Sequence, residues 1–241
     1  MTEEQRQGLA DLHVHTNYSD GSDSPSEVLA WAAQLGVDVI AITDHDTIDG
    51  AEEAAELACS GYGPDVIVGE EISSRDGHVI GLFLTRRVPH GLSAAETIAA
   101  VHDQGGIAVA AHPYWRTASA EPPGYAYSVG DDVESLEFDA IEVLNGSFSP
   151  GMILANRQAT EAAHALGYRR VGGSNAHVRH AIGWAHTRFQ GRNAADLRWS
   201  ITAGLTSTGR SRPALTAMGS QAAWSISRRR LARGRLQRVA G

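Results

Sequence analysis

The sequence contains a single cysteine, no lysine and few aromatic residues, which make up 6% of its 241 residues. Because Cys59 has no second cysteine to pair with, an internal disulfide bond and a cysteine-rich zinc site are both excluded. A membrane-spanning helix needs about 18 consecutive apolar residues, and no apolar stretch in this sequence is that long. The polar residues 1–7 lack the apolar core of a signal peptide. We therefore expect a cytoplasmic protein that does not associate with membranes.

The composition is that of an ordinary globular protein, with 42% hydrophobic and 20% charged residues. Twenty arginines and 28 acidic residues give a net charge of −8, which argues against broad electrostatic binding of nucleic acid. The basic charge is uneven, because residues 221–241 hold six arginines and no acidic residue. We expect residues 211–241 to form a basic tail, as a docked or frayed helix; the alternative is an arm that binds RNA or a partner.

Short apolar segments that favour β-strands alternate with segments of helical pattern. Ser24 with Glu27, and Ser93 with Glu96, form capping boxes that predict the start of two helices. Serial units of this kind favour parallel strands joined by right-handed crossovers, as a barrel or an open sheet. The predicted strands are 9–14, 37–43, 65–68, 78–85, 107–111, 140–144, 170–173 and 183–187. The fourth strand is expected to pair locally with residues 71–74.

Histidine and acidic residues lie at the ends of most predicted strands. In the first strand, the period of two places Asp11, His13 and His15 on one face. Two imidazoles so placed can share a metal ion, and the carboxylate can orient one of them. Because the carboxyl ends of parallel strands meet at one mouth of the sheet, we expect further ligands there. The candidates are Asp20, His45, Glu70, His78, His112 and His177.

These candidate ligands are imidazole and carboxylate groups without a thiolate, a set that suits Zn, Mn or Fe(II). They exceed what one four-coordinate ion needs, which indicates two or three divalent ions that share a carboxylate, with Glu70 the favoured bridge. Such ions lower the pKa of a bridging water and neutralise anionic charge in the transition state. The second property favours hydrolysis of phosphate esters.

The strand-end motifs resemble, in order, those of the PHP (polymerase and histidinol phosphatase) family. The matching segments are Asp11-Leu12-His13-Val14-His15-Thr16, Thr43-Asp44-His45-Asp46, Glu70, Gly77-His78, His112-Pro113 and Ser174-Asn175-Ala176-His177. The resemblance covers residues 9 to about 187, and six motifs in order are a specific signal. It implies an α/β fold, a distorted (β/α)7 barrel over residues 1–210, with a trinuclear metal site and phosphoesterase activity.

The resemblance also implies how the ligands divide among three ions. One ion would take His13, His15, Glu70 and Asn175, a second would take Asp20, His45 and His177, and a third would share Glu70 and take His78 and His112. Asp11 and Asp44 would orient ligands from outside. The family usually has Asp where this chain has Asn175, whose amide oxygen brings no negative charge. A weaker trinuclear site, a dinuclear site and an altered reaction all remain open.

Groups outside the metal ligands would recognise an anionic substrate. Arg116 follows His112-Pro113 and Arg179 follows His177, so both should lie near the mouth. There a guanidinium can hold phosphate through two hydrogen bonds, although either can instead be an ordinary surface arginine. The loop 113–133 also carries aromatic candidates for stacking on a base or sugar, namely Tyr114, Trp115, Tyr125 and Tyr127.

The leading hypothesis is a hydrolase that cleaves the phosphate ester of a small phosphorylated substrate, a phosphomonoester, nucleotide or short oligonucleotide, with a metal-activated hydroxide. Its reacting centre would contain Asp20, His45, Glu70, Arg116 and Arg179. The alternatives are a metallo-hydrolase of a non-phosphate ester or a carbamate, and a degenerate domain that binds metal or a partner without catalysis. The sequence leaves open the substrate, the choice of metal and the oligomeric state.

Overall fold

The computed structural model describes residues 7–61, 63–116, 126–149, 151–211 and 224. Its strands are β1 (Gln7–Val14), β2 (Val39–Ile42), β3 (Asp65–Ser74), β4 (Gly77–Leu82), β5 (Ile107–Ala110), β6 (Ala140–Asn145), β7 (Arg169–Gly173), β8 (Ala185–Gln190) and β9 (Ser207–Arg210). Its α-helices are α1 (Pro25–Leu35), α2 (Asp49–Cys59), α3 (Ala94–His102), α4 (Met152–Leu166) and α5 (Ala194–Thr202). Helices and strands alternate along most of the chain, as an α/β fold requires.

The sheet curls into a nearly closed barrel. Strands β1 to β7 are neighbours in chain order, and β8 and β9 extend the sheet beyond β1. A parallel bridge between Val14 and Ala176 joins the end of β1 to the segment after β7. The His15 N–H donates to the Ala176 carbonyl at 2.9 Å, which reinforces this closure. The predicted α/β barrel is therefore confirmed.

One strand distorts the barrel. Strand β4 runs antiparallel to both β3 and β5, whereas β1–β2, β2–β3, β5–β6 and β6–β7 are parallel pairs. A tight hairpin, with Ser73 opposite His78, replaces the helix that a regular unit would place between β3 and β4. The local pairing expected for the fourth strand is thus confirmed. The hairpin also brings a histidine from the start of a strand to the mouth of the barrel.

Both predicted capping boxes are present. Ser24 accepts from the backbone N–H of Glu27 at the start of α1, while the Glu27 carboxylate accepts from the N–H of Ser24. Ser93 and Glu96 make the same pair of bonds at the start of α3. These caps satisfy N–H groups that a helix leaves without partners in its first turn. They explain why both helix starts agree with the sequence pattern to the residue.

The barrel interior beneath the mouth is apolar. Leu12 of β1, Leu82 of β4, Val109 of β5 and Val171 of β7 belong to one buried cluster there. Above this layer the buried side chains become polar, and the mouth holds histidine and acidic residues with almost no exposure to solvent. Since buried charge is costly unless it is paired, this layer needs partners of its own.

Several expectations concern the C-terminal part of the chain. Apart from residues 211 and 224, the predicted basic tail lies outside the described residues. Strand β9, with the polar sequence Ser-Thr-Gly-Arg, was not predicted because it has no apolar run. In the described ranges, every helix is too short or too polar to span a bilayer. The cytoplasmic location stays a prediction.

Candidate metal centre

Six histidines converge at the mouth of the barrel. Five of them form a closed circuit of neighbouring rings, with centroid separations of 5.2 Å (His13–His15), 4.8 Å (His15–His45), 5.3 Å (His45–His78), 5.6 Å (His78–His112) and 5.7 Å (His112–His13). The sixth, His177, packs on His15 at 4.1 Å. All six were predicted from their positions at strand ends. The structure brings every one of them into a single cluster.

Glu71 occupies the centre of this circuit, and all five imidazoles reach it. One carboxylate oxygen, Oε2, lies 3.1 Å from His13 Nε2, 3.2 Å from His15 Nε2 and 3.5 Å from His45 Nδ1. The other, Oε1, lies 3.0 Å from His78 Nδ1 and 2.8 Å from His112 Nε2. Glu71 therefore holds the position of the shared carboxylate.

The placement of Glu70 as the shared carboxylate is corrected by this geometry. Glu70 is buried, but its Oε2 accepts a hydrogen bond from the backbone N–H of Val88 at 2.8 Å, and Arg87 lies 3.8 Å from its Oε1. Successive residues of a strand point to opposite faces, so only one of two adjacent glutamates can enter the mouth. A parallel bridge between His45 and Glu71 selects the second.

A second carboxylate, Asp20, faces the cluster from the loop after β1. Its Oδ1 lies 3.4 Å from His15 Nδ1, and its Oδ2 lies 3.2 Å from His177 Nε2 and 3.8 Å from His45 Nε2. His15 and His45 thus turn one ring nitrogen toward Asp20 and the other toward Glu71. The two imidazoles connect two carboxylate-centred groups, as expected of a centre with more than one ion.

Burial sets the protonation state of most of these imidazoles. It lowers the pKa of His177 to about 3, with His45 adding to the effect, and lowers the pKa of His15 well below the usual value. Burial also lowers the pKa values of His45 and His112. Neutral imidazoles keep the nitrogen lone pair that a metal ligand must offer.

His13 is the exception among the clustered imidazoles. Burial alone would lower its pKa, but the carboxylates of Glu71 and Glu142 outweigh that effect and raise the pKa of His13 to about 10. Burial would raise the pKa of Glu71, but His13, His45 and His78 hold it well below the usual value. The centre therefore favours a carboxylate at Glu71 balanced by positive charge beside it.

The donor atoms present fit divalent metal ions. Three groups of described residues bring one ligand atom each to within 4.8 Å of one another: His15–Asp20–His45–His177, His13–His15–Glu71 and His45–Glu71–His78. Both ring nitrogens of His15 are buried without a hydrogen bond, as are Nδ1 of His112 and Oδ1 of Asn175. Buried polar atoms in proteins rarely lack a partner, and a metal ion is one explanation for such atoms. Imidazole and carboxylate ligands suit Zn, Mn or Fe(II).

Asn175 lies at the bend that carries the last motif. Its φ of 52° falls in the left-handed region, which asparagine tolerates better than most residues. Its backbone carbonyl accepts a hydrogen bond from Nδ1 of His177 at 3.0 Å. That bond leaves the Nε2 atom of His177 to face Asp20. Asn175 thus orients a neighbouring ligand through its backbone, while its side-chain oxygen has no hydrogen-bond partner.

Glu142 is a functional candidate that the sequence analysis missed. From the middle of β6 it accepts a hydrogen bond from His13 Nδ1 at 2.9 Å through Oε1. Its Oε2 accepts from the backbone N–H of His112 and from the side chain of Asn145, both at 2.9 Å. A carboxylate in this position fixes the ring orientation and raises the basicity of the ligand. An acidic residue inside an otherwise apolar buried strand was the signal that could have identified it.

Asp11 and Asp44, expected to orient ligands from outside, bind backbone groups of the segments that carry those ligands. Asp11 accepts backbone N–H groups from Ser174 at 2.8 Å and Gly183 at 2.7 Å, and Asp44 accepts from the backbone of Thr16 at 2.8 Å. Within the part of the chain that the structure describes, neither carboxylate makes a hydrogen bond to an imidazole. Both stabilise the loops that carry the ligands.

The two candidate substrate arginines differ in their surroundings. The guanidinium of Arg179 donates to Asp23 at 2.8 Å and to Glu27 at 2.9 Å, so two carboxylates already neutralise it. Arg116 is exposed and lines a cleft of about 580 Å³ together with Trp115, Tyr127 and other residues. Only Arg116 therefore presents its charge to a cleft.

The cleft adjoins the histidine cluster through two aromatic rings. Tyr127 stacks on His112 with centroids 5.0 Å apart and lies 4.7 Å from His78. Trp115 meets His112 edge-on at 5.5 Å. Tyr114 also lines the cleft, whereas Tyr125 lies outside the described residues. Trp115 and Tyr127 therefore line the cleft and also contact a ring of the cluster.

Comparisons with known proteins agree with the fold. Residues 11–197 match the PHP domain family. An uncharacterized protein of Methanocaldococcus jannaschii is 38% identical over 155 residues, covering 60% of this chain and 85% of that protein. A 5'-3' exoribonuclease of Haemophilus influenzae is 36% identical over 103 residues, 41% of this chain and 37% of that protein. The chain thus matches well under half of the exoribonuclease.

The same fold is found in a solved structure. A two-domain protein from Bacteroides vulgatus, described as containing a predicted PHP-like metal-dependent phosphoesterase, superimposes with a TM-score of 0.69 at 19% identity. The superposition covers 85% of this chain and 65% of that one. The likeness at this identity concerns the fold alone.

An α/β barrel with imidazole and carboxylate groups gathered at the carboxyl ends of its strands defines a class of metal-dependent hydrolase folds. Within that class, the match over most of the barrel identifies the family: the chain belongs to the PHP domain family.

Proposed function

We propose that this protein is a metal-dependent phosphoesterase that hydrolyses a phosphomonoester of a small anionic substrate. The observation that carries the proposal is the position of Glu71, whose two oxygens face five imidazoles within 3.5 Å. A carboxylate surrounded in this way is suited to bridging cations. The family and the exoribonuclease relative support a reaction at a phosphate ester.

The geometry supports two or three ions. His15, Asp20, His45 and His177 would hold one ion, and the groups around Glu71 would hold one or two. Divalent ions bound there would lower the pKa of bound water and neutralise charge on the phosphate. Glu142 keeps the ring of His13 in a fixed orientation, and the backbone of Asn175 does the same for His177.

The cleft beside the cluster would receive the rest of the substrate. Arg116 supplies a positive charge to the cleft, and Tyr127 supplies an aromatic surface that continues onto His112. Arginine suits an anionic group, and an aromatic ring suits an apolar or planar group. A small phosphorylated molecule matches both features of this cleft.

A substrate panel tests the proposal. The purified protein is treated with a chelator, reloaded with Mn²⁺ or Zn²⁺, and assayed with p-nitrophenyl phosphate, bis(p-nitrophenyl) phosphate, p-nitrophenyl acetate and an aryl carbamate. We expect metal-dependent release from the phosphomonoester at the highest rate. Faster cleavage of the diester would assign the protein to phosphodiesterases. Cleavage of only the acetate or carbamate, or of none in the metal-loaded protein, would overturn the proposal.

A further inference from the structure

Trp224 brings a residue from the C-terminal part of the chain onto the candidate metal centre. Its indole Nε1–H donates a hydrogen bond to the backbone carbonyl of Asp20 at 3.0 Å. Its ring lies 4.2 Å from the ring of His177, tilted by 39°. The residue lies well beyond 11–197, the range that matches the family. Trp224 is therefore a feature of this chain that the family assignment does not cover.

The two residues that Trp224 contacts belong to the same group of candidate ligands. Asp20 follows β1 and His177 follows β7, so they come from opposite ends of the barrel sequence. Their side chains lie 3.2 Å apart. One backbone bond, from Ser22 N–H to the His177 carbonyl at 2.9 Å, already joins the two loops. Arg179 and Asp23 join the same loops farther along the chain. Trp224 adds a connection at Asp20 and His177 themselves.

The remaining surroundings of Trp224 hold its ring in place. The indole packs against the apolar cluster that includes Val28 of α1 and Val178 from the segment after β7. A ring anchored on that cluster can restrain both partners at once, because an indole combines a large apolar surface with a single N–H donor. The restraint acts on Asp20 through its backbone and on His177 through its ring.

We propose that Trp224 is a positioning residue of the metal centre: it holds Asp20 and His177 in the arrangement in which they share an ion with His15 and His45. The proposal rests on the proposed function, since it concerns the same ligands. It assigns Trp224 to one group only. Both residues that the indole contacts, Asp20 and His177, belong to that group, together with His15 and His45.

Cobalt binding to the full-length apoprotein tests this assignment. Co²⁺ is titrated by calorimetry and by visible absorption into the wild type, Trp224→Phe, Trp224→Ala and the control Trp199→Ala, whose parent ring is exposed on α5. We expect Trp224→Ala to lower the affinity for one Co²⁺ ion by about tenfold or more and to change the absorption bands of that ion. The affinities for the remaining ions should not change. Trp224→Phe keeps the ring packing but loses the N–H donor, so its affinity for that ion should lie between those of the wild type and Trp224→Ala. Trp199→Ala should match the wild type.

The outcomes separate the inference from the proposed function. If both Trp224 variants bind every Co²⁺ ion as the wild type does, the inference is overturned and the proposed function stands. If the affinity for every Co²⁺ ion falls and the apoprotein also loses thermal stability, Trp224 has a general structural role and the inference is overturned. If Trp224→Ala does not fold, the test depends on Trp224→Phe alone: a lower affinity for one Co²⁺ ion supports the inference, and unchanged affinities overturn it. If the wild type takes up no Co²⁺, both proposals fail.

Discussion

Glu71 Oε2 lies 3.1 Å from His13 Nε2, and this contact joins β3 to β1 at the mouth of the barrel. The opposite nitrogen of His13 is bound by Glu142 from β6. The imidazole is therefore held between two carboxylates, one central and one peripheral. This arrangement links three strands. Glu71 faces the centre of the histidine cluster, whereas Glu142 supports one of its imidazoles from outside.

Replacing Glu71 by glutamine removes the central charge with little change in size. We expect Glu71→Gln to lose activity by more than the roughly 10- to 100-fold that is usual when an outer partner of a ligand is changed. The matched control is Glu70→Gln, one residue away, whose amide oxygen can still accept from Val88. Steady-state rates for both variants decide the point. Equal losses in the two variants would contradict the assignment of Glu71.

Glu142→Gln tests the peripheral carboxylate. The variant keeps the shape of the side chain but removes the charge that supports His13, so we expect about a 10- to 100-fold fall in metal affinity or activity. Exposed Glu161 on α4, which pairs only with Arg157 in the ion pairs of the described residues, gives the control Glu161→Gln. Metal titration of both variants provides the measurement. A Glu142→Gln variant with wild-type affinity would remove Glu142 from the site.

Asn175→Asp would add a negative charge to the centre. Because the Asn175 side chain is buried with its Oδ1 free of hydrogen bonds, we expect the aspartate to bind the ions more tightly than the wild type does. Competition with a chelator measures the change for Mn²⁺ and Zn²⁺. Asn193→Asp, at the start of α5 and able to keep its capping bond, should leave metal affinity unchanged. Weaker binding in Asn175→Asp would show that its side chain does not face the ions.

Metal removal should destabilise the fold. An ion present at about 100 times its dissociation constant stabilises the folded state by about 2.7 kcal/mol, or roughly 5–10 °C in melting temperature for a domain of this size. Thermal denaturation with and without a chelator measures the shift. The same comparison with Glu71→Gln should give a smaller shift. A chelator that leaves the wild-type melting temperature unchanged would argue against bound ions.

Arg116→Gln should impair substrate binding more than it slows turnover. Its side chain lines the cleft beside Tyr127, so the loss of its charge should raise KM with little change in kcat. Arg86→Gln, at an exposed position that does not line the cleft, is the control. Michaelis–Menten kinetics with the best phosphate ester separate the two constants. A fall in kcat at constant KM would contradict this prediction, because it would mean that Arg116 acts on the reacting atoms and not on substrate binding in the cleft.

The local pattern predicted an α/β fold, as a barrel or an open sheet, and the resemblance to the PHP family implied the barrel. The six clustered histidines were predicted from their positions at strand ends. Alternating strand and helix signals define the fold, and a histidine at a strand end such as His112 needs no long-range information to be placed at the mouth. The capping residues Ser24 and Ser93 act within one turn of helix, which is why those boundaries agree.

The sequence analysis was wrong or incomplete where a contact between distant parts of the chain determines the role of a residue. The choice between Glu70 and Glu71 depends on which residue of β3 faces the mouth, and that is set by pairing with β4 and by the bridge to His45. The role of Glu142 depends on β6 meeting β1 across the barrel. The contact between Trp224 and Asp20 joins residues 204 positions apart, and no local pattern marks it.

The metal content of the purified protein tests the central claim most directly. The wild type and Glu71→Gln are each supplied with Mn²⁺ and Zn²⁺, freed of excess metal, and measured by elemental analysis. The geometry predicts two or three ions per chain in the wild type and at most one in the variant, held by the group around Asp20. Equal metal content in both proteins, or none in the wild type, would contradict a metal centre built around Glu71.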